Sequence, residues 1–187
     1  MKKTLKVVLI ILVALIVVFV ALVALIGSGD SDTTSNMTPE EIKTTAEEKD
    51  LEIARSVWSA QQYQVKLADK VQTMDTGETD LLDVYSYAGE TKDFVGNLLT
   101  TVKAVDMADG TAAEYQDAAE GYISTVYMIA NDLRDYIDNE KYSSLESAQK
   151  NLQIIPTAET QFLDARTAYL KDAGYTDEEI AQRTTLD

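Results

Sequence analysis

The sequence predicts an all-α protein: an N-terminal single transmembrane helix, then an antiparallel up-down four-helix bundle with a short C-terminal helix. Residues Val7–Ile26 are twenty consecutive apolar residues. After them, four long segments place apolar residues three and four positions apart, the spacing of one helix face. No segment alternates apolar and polar residues between turns, as a strand would. We therefore divide the chain into a cytoplasmic N-terminus with its membrane anchor (1–26), a flexible polar linker (27–37) and an extracytoplasmic bundle (38–187).

The apolar segment Val7–Ile26 is long enough to cross a bilayer. A helix rises about 1.5 Å per residue, so twenty residues cover a hydrocarbon core about 30 Å thick. Lys2, Lys3 and Lys6 precede the segment, which predicts a cytoplasmic N-terminus and an exported C-terminal domain. The alternative is a cleaved signal peptide and a secreted bundle. Such peptides have a shorter apolar region and a small-x-small cleavage site, so we favour a retained single-pass anchor in the cell membrane.

The part of the chain after the apolar segment is strongly acidic. It holds all 32 Asp and Glu residues but only 13 of the 16 Lys and Arg residues, a net charge near −19. Nucleic acids and anionic lipids repel such a domain, so we expect no nucleic-acid partner. The chain has no Cys and no His. It therefore lacks thiolate ligands, the commonest metal ligand and the usual general base, and we predict no metal and no cofactor.

The linker 27–37 is composed of small and polar residues, which is typical of a flexible spacer. It contains the tripeptide Asn36-Met37-Thr38, which matches the acceptor sequence for N-glycosylation. Such tripeptides are frequent by chance. Asn36 is the candidate glycosylation site if this part of the chain is exported.

The first bundle helix begins at Thr38, which forms a predicted capping box with Glu41, and Pro39 suits its first turn. Its opening residues, 38–50, are charged and are expected to project as a stalk. The second helix is predicted from about residue 78 to 108. The predicted buried face of the first helix is Ile53, Val57, Ala60, Gln64, Leu67, Val71 and Met74; that of the second is Leu81, Val84, Ala88, Thr91, Val95, Leu98, Val102 and Val105.

Capping boxes are also predicted for the third and fourth helices, formed by Thr111 with Glu114 and by Ser143 with Glu146. Pro156 predicts a kink, because proline removes one helical hydrogen bond, and a slip of the apolar phase by one residue. This slip places Arg166 outside the core. The predicted buried positions are Ala112, Tyr115, Ala119, Tyr122, Val126, Ile129, Leu133 and Tyr136 in the third helix, and Leu145, Ala148, Leu152, Ile155, Ala158, Phe162, Ala165 and Tyr169 in the fourth.

Gly174 is the predicted stop of the fourth helix, and Thr176 with Glu179 opens the short final one. The connections near residues 75–77, 109–110 and 139–141 are short. Short connections between long helices force antiparallel neighbours, which gives the up-down bundle.

Tyrosine is the enriched side chain with a functional group, at ten residues. Tyr115 and Tyr122 fall on one seam, that of the third helix, and Tyr169 falls on the fourth helix; these three are the candidate ligand-binding residues. One interpretation is that their rings fill the core; the other is a pocket in which their hydroxyls orient a small molecule. We favour core packing.

The sequence contains no phosphate-binding glycine loop, nucleophile elbow or catalytic triad, so we do not expect an enzyme. The predicted function is a membrane-anchored extracytoplasmic helical bundle that acts as a binding, scaffold or cell-surface interaction module. The alternative is a small-molecule sensor that uses the tyrosine-lined interior and signals through a partner. The expected partners are the bilayer and either another membrane or cell-surface protein or a second copy of the chain.

Overall fold

The computed structural model describes residues 37–74, 77–108 and 110–183, and these form five α-helices without a strand. The helices are α1 (Pro39–Thr73), α2 (Leu81–Ala104), α3 (Thr111–Asn139), α4 (Tyr142–Asp172) and α5 (Asp177–Arg183). The predicted all-α class is confirmed.

The four long helices form a bundle in which consecutive helices run antiparallel. Helix α3 packs against α2 and α4, and α1 packs against α2. At one end of the bundle the Thr111 hydroxyl donates to Asp172 at 2.8 Å, which joins the start of α3 to the end of α4. At the other end the Tyr85 hydroxyl donates to Asp138 at 3.2 Å, which joins the start of α2 to the end of α3. We call the first end, which also holds the start of α1 and α5, the base, and the opposite end the tip.

The core follows the predicted helix faces over most of their length. Ile53 in α1, Val95 in α2 and Val126 in α3 are fully buried. The predicted face of α2 is wrong at its first position, because Leu81 is 52% exposed at the tip. The other predicted positions that are only partly buried are Met74, Leu98, Tyr136, Leu145, Leu152 and Ala165.

The caps of α1 and α5 are confirmed. The Thr38 amide donates to Glu41 at 2.8 Å and the Glu41 amide donates to the Thr38 hydroxyl at 3.3 Å. The same reciprocal pair joins Thr176 and Glu179. Helix α2 has a capping box that the sequence analysis missed, formed by Asp80 and Asp83.

Two predicted capping boxes are wrong: Thr111 with Glu114, and Ser143 with Glu146. Helices α3 and α4 begin without a side-chain cap. The hydroxyls in these first turns bond across to a neighbouring helix, as Thr111 does to Asp172 and Ser144 does to Asp135. They therefore join helices at the two ends of the bundle.

Two expectations about packing are also wrong. The opening of α1 is not a stalk, because Ala46 and Asp50 are buried. Helix α4 continues through Pro156. Beyond it, Phe162 is buried as predicted, but Arg166, which was expected outside the core, is buried as well. The physical reason is common to both: Asp50 and Arg166 form an ion pair, which draws both side chains inward.

No helix in the described ranges is both long and apolar enough to cross a membrane. The segment Val7–Ile26, Asn36 and the linker residues before Met37 lie outside the described residues. The membrane anchor and the glycosylation site therefore remain predictions.

Candidate functional sites

A buried ion pair lies at the base of the bundle, between the first turns of α1 and the last turns of α4. The Arg166 guanidinium donates from Nε to Asp50 Oδ1 at 2.7 Å and from Nη2 to Asp50 Oδ2 at 2.8 Å. Asp50 is 3% exposed and Arg166 is 5% exposed. Paired, parallel bonds of this kind are the strongest arrangement for arginine and a carboxylate, and they fix the two helices in register.

Tyr115 of α3 completes this cluster. Its hydroxyl donates to Asp50 Oδ1 at 2.9 Å. Its ring packs against Tyr169, with the centroids 5.3 Å apart, and against Phe162 at 5.5 Å. The cluster is therefore continuous with the aromatic part of the core, and three helices meet at one carboxylate.

The surroundings of the cluster shift the pKa values of its members. Burial, and then the negative charge of Asp50, raise the pKa of Tyr115 well above its ordinary value. The same two causes raise the pKa of Tyr169 to about 12. Burial opposes the charge of Arg166, but the hydrogen bonds and charge of Asp50 outweigh it and raise the pKa of Arg166. Tyr115 is therefore a neutral donor and Arg166 a cation at physiological pH.

Helix α5 covers the ion pair from outside. Arg166 Nη2 also donates to the backbone carbonyl of Arg183 at 3.4 Å, and the Arg183 side chain bonds Glu47 at 3.0 Å. Two cations lie over the Tyr175 ring, with Lys43 4.9 Å and Arg183 4.6 Å from its centroid. Gly174, with φ of 87°, turns the chain between α4 and α5 in a conformation that side chains disfavour.

A groove of about 200 Å³ runs beside the ion pair, lined by residues of α1, α4 and α5. Its lining residues are Glu47, Asp50, Leu51, Ala54, Arg166, Gln182 and Arg183.

The structure brings together two of the three predicted ligand residues. Tyr115 and Tyr169 stack on each other. Tyr122 lies two turns further along α3, and its hydroxyl is buried with no hydrogen-bond partner within the described part of the chain. Burial, and then the charge of Glu159, raise the pKa of Tyr122. The sequence analysis missed Asp50 and Arg166. The sequence did contain a signal for them, since each is a charged residue at a position that continues the apolar spacing of its helix.

A second candidate site is an open recess at the tip, of about 410 Å³. Leu81, Leu82 and Tyr85 of α2 line one side, and Ile137 and Asp138 of α3 line the other. Leu81 is 52% exposed and Leu82 is 70% exposed. The two adjacent exposed leucines and the recess form a continuous apolar surface, which makes this end of the bundle a candidate interaction site.

The wall of the recess is held in place by Tyr85. Its hydroxyl donates to Asp138 and accepts from Arg134 Nη2 at 2.6 Å. The Arg134 guanidinium also lies 4.5 Å from the centroid of the Tyr85 ring. Gly89 leaves room for this arginine, since a Cβ there would lie 3.0 Å from Arg134 Nη1.

Neither similarity to known proteins nor a cluster of possible metal ligands assigns an activity to these sites. No protein-family model matches the chain, and no curated protein or solved structure is detectably similar to it. Over the described ranges, no group of three or more carboxylates is placed to hold a metal ion.

Proposed function

We propose that this protein is a membrane-anchored, extracytoplasmic helical bundle that binds another protein through its tip and has no catalytic role. The observation that carries the proposal is the exposed pair Leu81 and Leu82 beside the tip recess. Exposed apolar surface lowers solubility. The rest of this domain is strongly charged, with a net charge near −19, so two exposed leucines stand out on its surface.

The polar groups at the base favour a structural role over chemistry. Both oxygens of Asp50 accept hydrogen bonds from Arg166, and one also accepts from Tyr115. A general base needs access to substrate, and this carboxylate is 3% exposed. These contacts favour a structural role for the cluster.

The order of elements supports a tip that faces away from the membrane. The apolar segment Val7–Ile26 and the linker precede α1, and α1 begins at the base. If the segment is a retained anchor, the base faces the bilayer and the recess lies at the far end of helices that are 24 to 35 residues long. At about 1.5 Å per residue, this is roughly 35 to 50 Å from the base.

Single-cysteine labelling tests the topology, because the natural chain has no Cys. Ser143→Cys, at the exposed start of α4, should react with a membrane-impermeant maleimide in intact cells. Thr4→Cys, on the other side of the apolar segment, should react only after lysis. Label found in the medium would support the secreted alternative, and protection of both positions would contradict export.

Photo-crosslinking tests the interaction. A photoreactive amino acid at Leu82 should capture a defined neighbour in native membranes, whereas the same group at Val65 should not. Val65 is a matched control, because it is an apolar residue of α1 that is 49% exposed and does not line the recess. Equal capture from both positions, or none from Leu82, would contradict an interaction site at the tip.

The groove beside Asp50 and Arg166 favours a second candidate function, small-molecule sensing through the tyrosine cluster with a partner that carries the signal. Asp50 links the groove to Tyr115, and Tyr115 to Tyr169. A ligand in the groove should perturb the tyrosine absorbance of the natural protein, and the perturbation should be lost in Tyr115→Phe. Screening amino acids and small carboxylates by thermal shift tests this, and the absence of any stabilising compound would argue against it.

A further inference from the structure

We infer that the tip recess binds a basic amphipathic helix of a partner protein, which inserts apolar side chains between α2 and α3 and places Lys or Arg over the acidic rim. The inference rests on the proposed function, since it names the chemistry of the partner at the same site.

The shape of the recess suits side chains of a helix better than a small molecule. Small-molecule sites enclose most of the ligand surface. This recess is open, and its volume of about 410 Å³ accommodates a few apolar side chains. Leu82, 70% exposed, stands on the rim where a helix lying across α2 would cover it. This is the mode in which an amphipathic helix lays its apolar face into a groove.

The recess is already organised for binding. Tyr85 is fixed at its hydroxyl by Asp138 and Arg134, and its ring is held by the same arginine. Leu81 and Leu82 lie in the first turn of α2, whose start is fixed by the reciprocal cap of Asp80 and Asp83. Binding therefore orders few protein groups, which limits the entropy lost on association.

The charge around the recess selects the partner. Asp138 lines it, and the exposed carboxylates of Asp80, Asp83 and Glu140 flank the lining residues in the chain. Of the basic residues nearby, Lys141 is paired with Asp135 at 3.1 Å. Arg134 bonds to the Tyr85 hydroxyl and keeps its positive charge, so within the described ranges one free cation faces four carboxylates. The rim therefore has a negative potential, which attracts and orients a basic segment.

The same charge disfavours the two other occupants of an apolar surface. A second copy of this chain brings another domain of net charge near −19, and like charges repel. An anionic bilayer repels the rim for the same reason. A basic partner meets neither penalty.

Binding of three synthetic helical peptides to the full-length protein in phosphatidylcholine nanodiscs tests the inference by fluorescence anisotropy. The first has a leucine face flanked by lysines, the second replaces lysine with glutamate, and the third replaces leucine with serine. We expect the first to bind, with an affinity that falls as salt rises, and the other two to bind at least about tenfold more weakly.

Two matched pairs of variants locate the site. The double variant Leu81→Ala/Leu82→Ala should weaken binding of the first peptide about tenfold or more, and Val65→Ala/Met128→Ala, two exposed residues elsewhere, should leave it unchanged. Asp138→Asn should weaken it about two- to fivefold and reduce the salt dependence, while Glu48→Gln, exposed at the base, should have no effect. Circular dichroism of each variant confirms that it is folded.

Several outcomes would overturn the inference. Equal binding of the first peptide to the natural protein and to the leucine double variant would mean non-specific attraction to an acidic surface. Equal binding of the glutamate peptide would remove the charge argument. Self-association that depends on Leu82 in sedimentation experiments would assign the surface to a second copy. Failure of all three peptides while Leu82 still crosslinks a protein in cells would reject this partner chemistry but leave the proposed function standing.

Discussion

The base and the tip of the bundle place charged and apolar side chains in opposite ways. At the base, Asp50 and Arg166 are buried, and α5 folds over them. At the tip, Leu81 and Leu82 are exposed, and no described element covers them. Each end departs from the usual rule of apolar residues inside and charged residues outside.

The difference teaches that the two departures have different costs and uses. A buried ion pair contributes little net stability, because desolvation of both charges offsets their attraction, but it penalises any arrangement that separates them. It therefore specifies how α1 and α4 align. Exposed leucines specify nothing within the bundle. The hydrophobic free energy of burying these side chains is gained only when another molecule covers them, as at an interaction surface.

Replacing one partner of the ion pair should have the largest effect. Arg166→Met leaves Asp50 buried with only the Tyr115 hydroxyl as a partner, and we expect a loss of about 3–5 kcal/mol in the free energy of unfolding. Urea unfolding of the full-length protein in detergent, followed by the fluorescence of Trp58, measures this. Trp58 is the one tryptophan and lies near the middle of α1.

Two further variants separate charge from packing. Arg55→Met, at an exposed position of α1, should change the free energy by less than about 0.5 kcal/mol. The double replacement Asp50→Leu/Arg166→Met should recover most of the loss, because no buried charge is left without a partner. If the single and double variants are equally unstable, the pair does not act as a charge-compensated unit.

Removing the Tyr115 hydroxyl should have the next largest effect. Tyr115→Phe keeps the ring contacts with Phe162 and Tyr169 but removes one donor to the Asp50 carboxylate. Hydrogen bonds to a charged group contribute about 1.5–3 kcal/mol, so we expect a loss in that range. Tyr142→Phe, at the exposed tip, is the matched control and should be neutral. A neutral Tyr115→Phe would mean that Arg166 alone satisfies Asp50.

The spacing of apolar residues was sufficient to predict the helices and most of the core. The seam of α3, from Ala112 to Leu133, is buried as predicted. This worked because the periodicity is unbroken and each helix has neighbours on one face only. The predicted ends were less accurate, because Thr111 and Ser144 bond to other helices, and no local pattern reveals a partner 61 residues away.

The candidate sites were the part that the sequence could not supply. Asp50 and Arg166 are charged, so the sequence analysis left them out of the core although their positions continue an apolar spacing, and only the antiparallel alignment of α1 and α4 brings them together. Leu81 continued the predicted seam of α2, yet it lies beyond the point where the neighbouring helices cover that seam. Both findings depend on where helices end relative to one another, which a single-helix pattern does not contain.

The smallest expected effect concerns Asp135, which ties α3 to the start of α4 at the tip. Hydrogen bonds from Ser144, Lys141 and Asn139 lower the pKa of Asp135 from 3.8 to about 2. Asp135 is protonated at lower pH in the native state than in the unfolded state. The ionised carboxylate therefore contributes its full stabilisation above about pH 4, and this stabilisation is lost as the pH falls toward 2. Urea unfolding at a series of pH values should show this decline.

Asp135→Asn should flatten that part of the pH profile, because no proton is then exchanged at this position. Ser144→Ala removes the main cause of the lowered pKa and should flatten it in part, whereas Ser143→Ala, an exposed neighbour, should leave the profile unchanged. A profile that is steep between pH 4 and 2 in Asp135→Asn as well would mean that other carboxylates, such as those at the base, dominate acid unfolding.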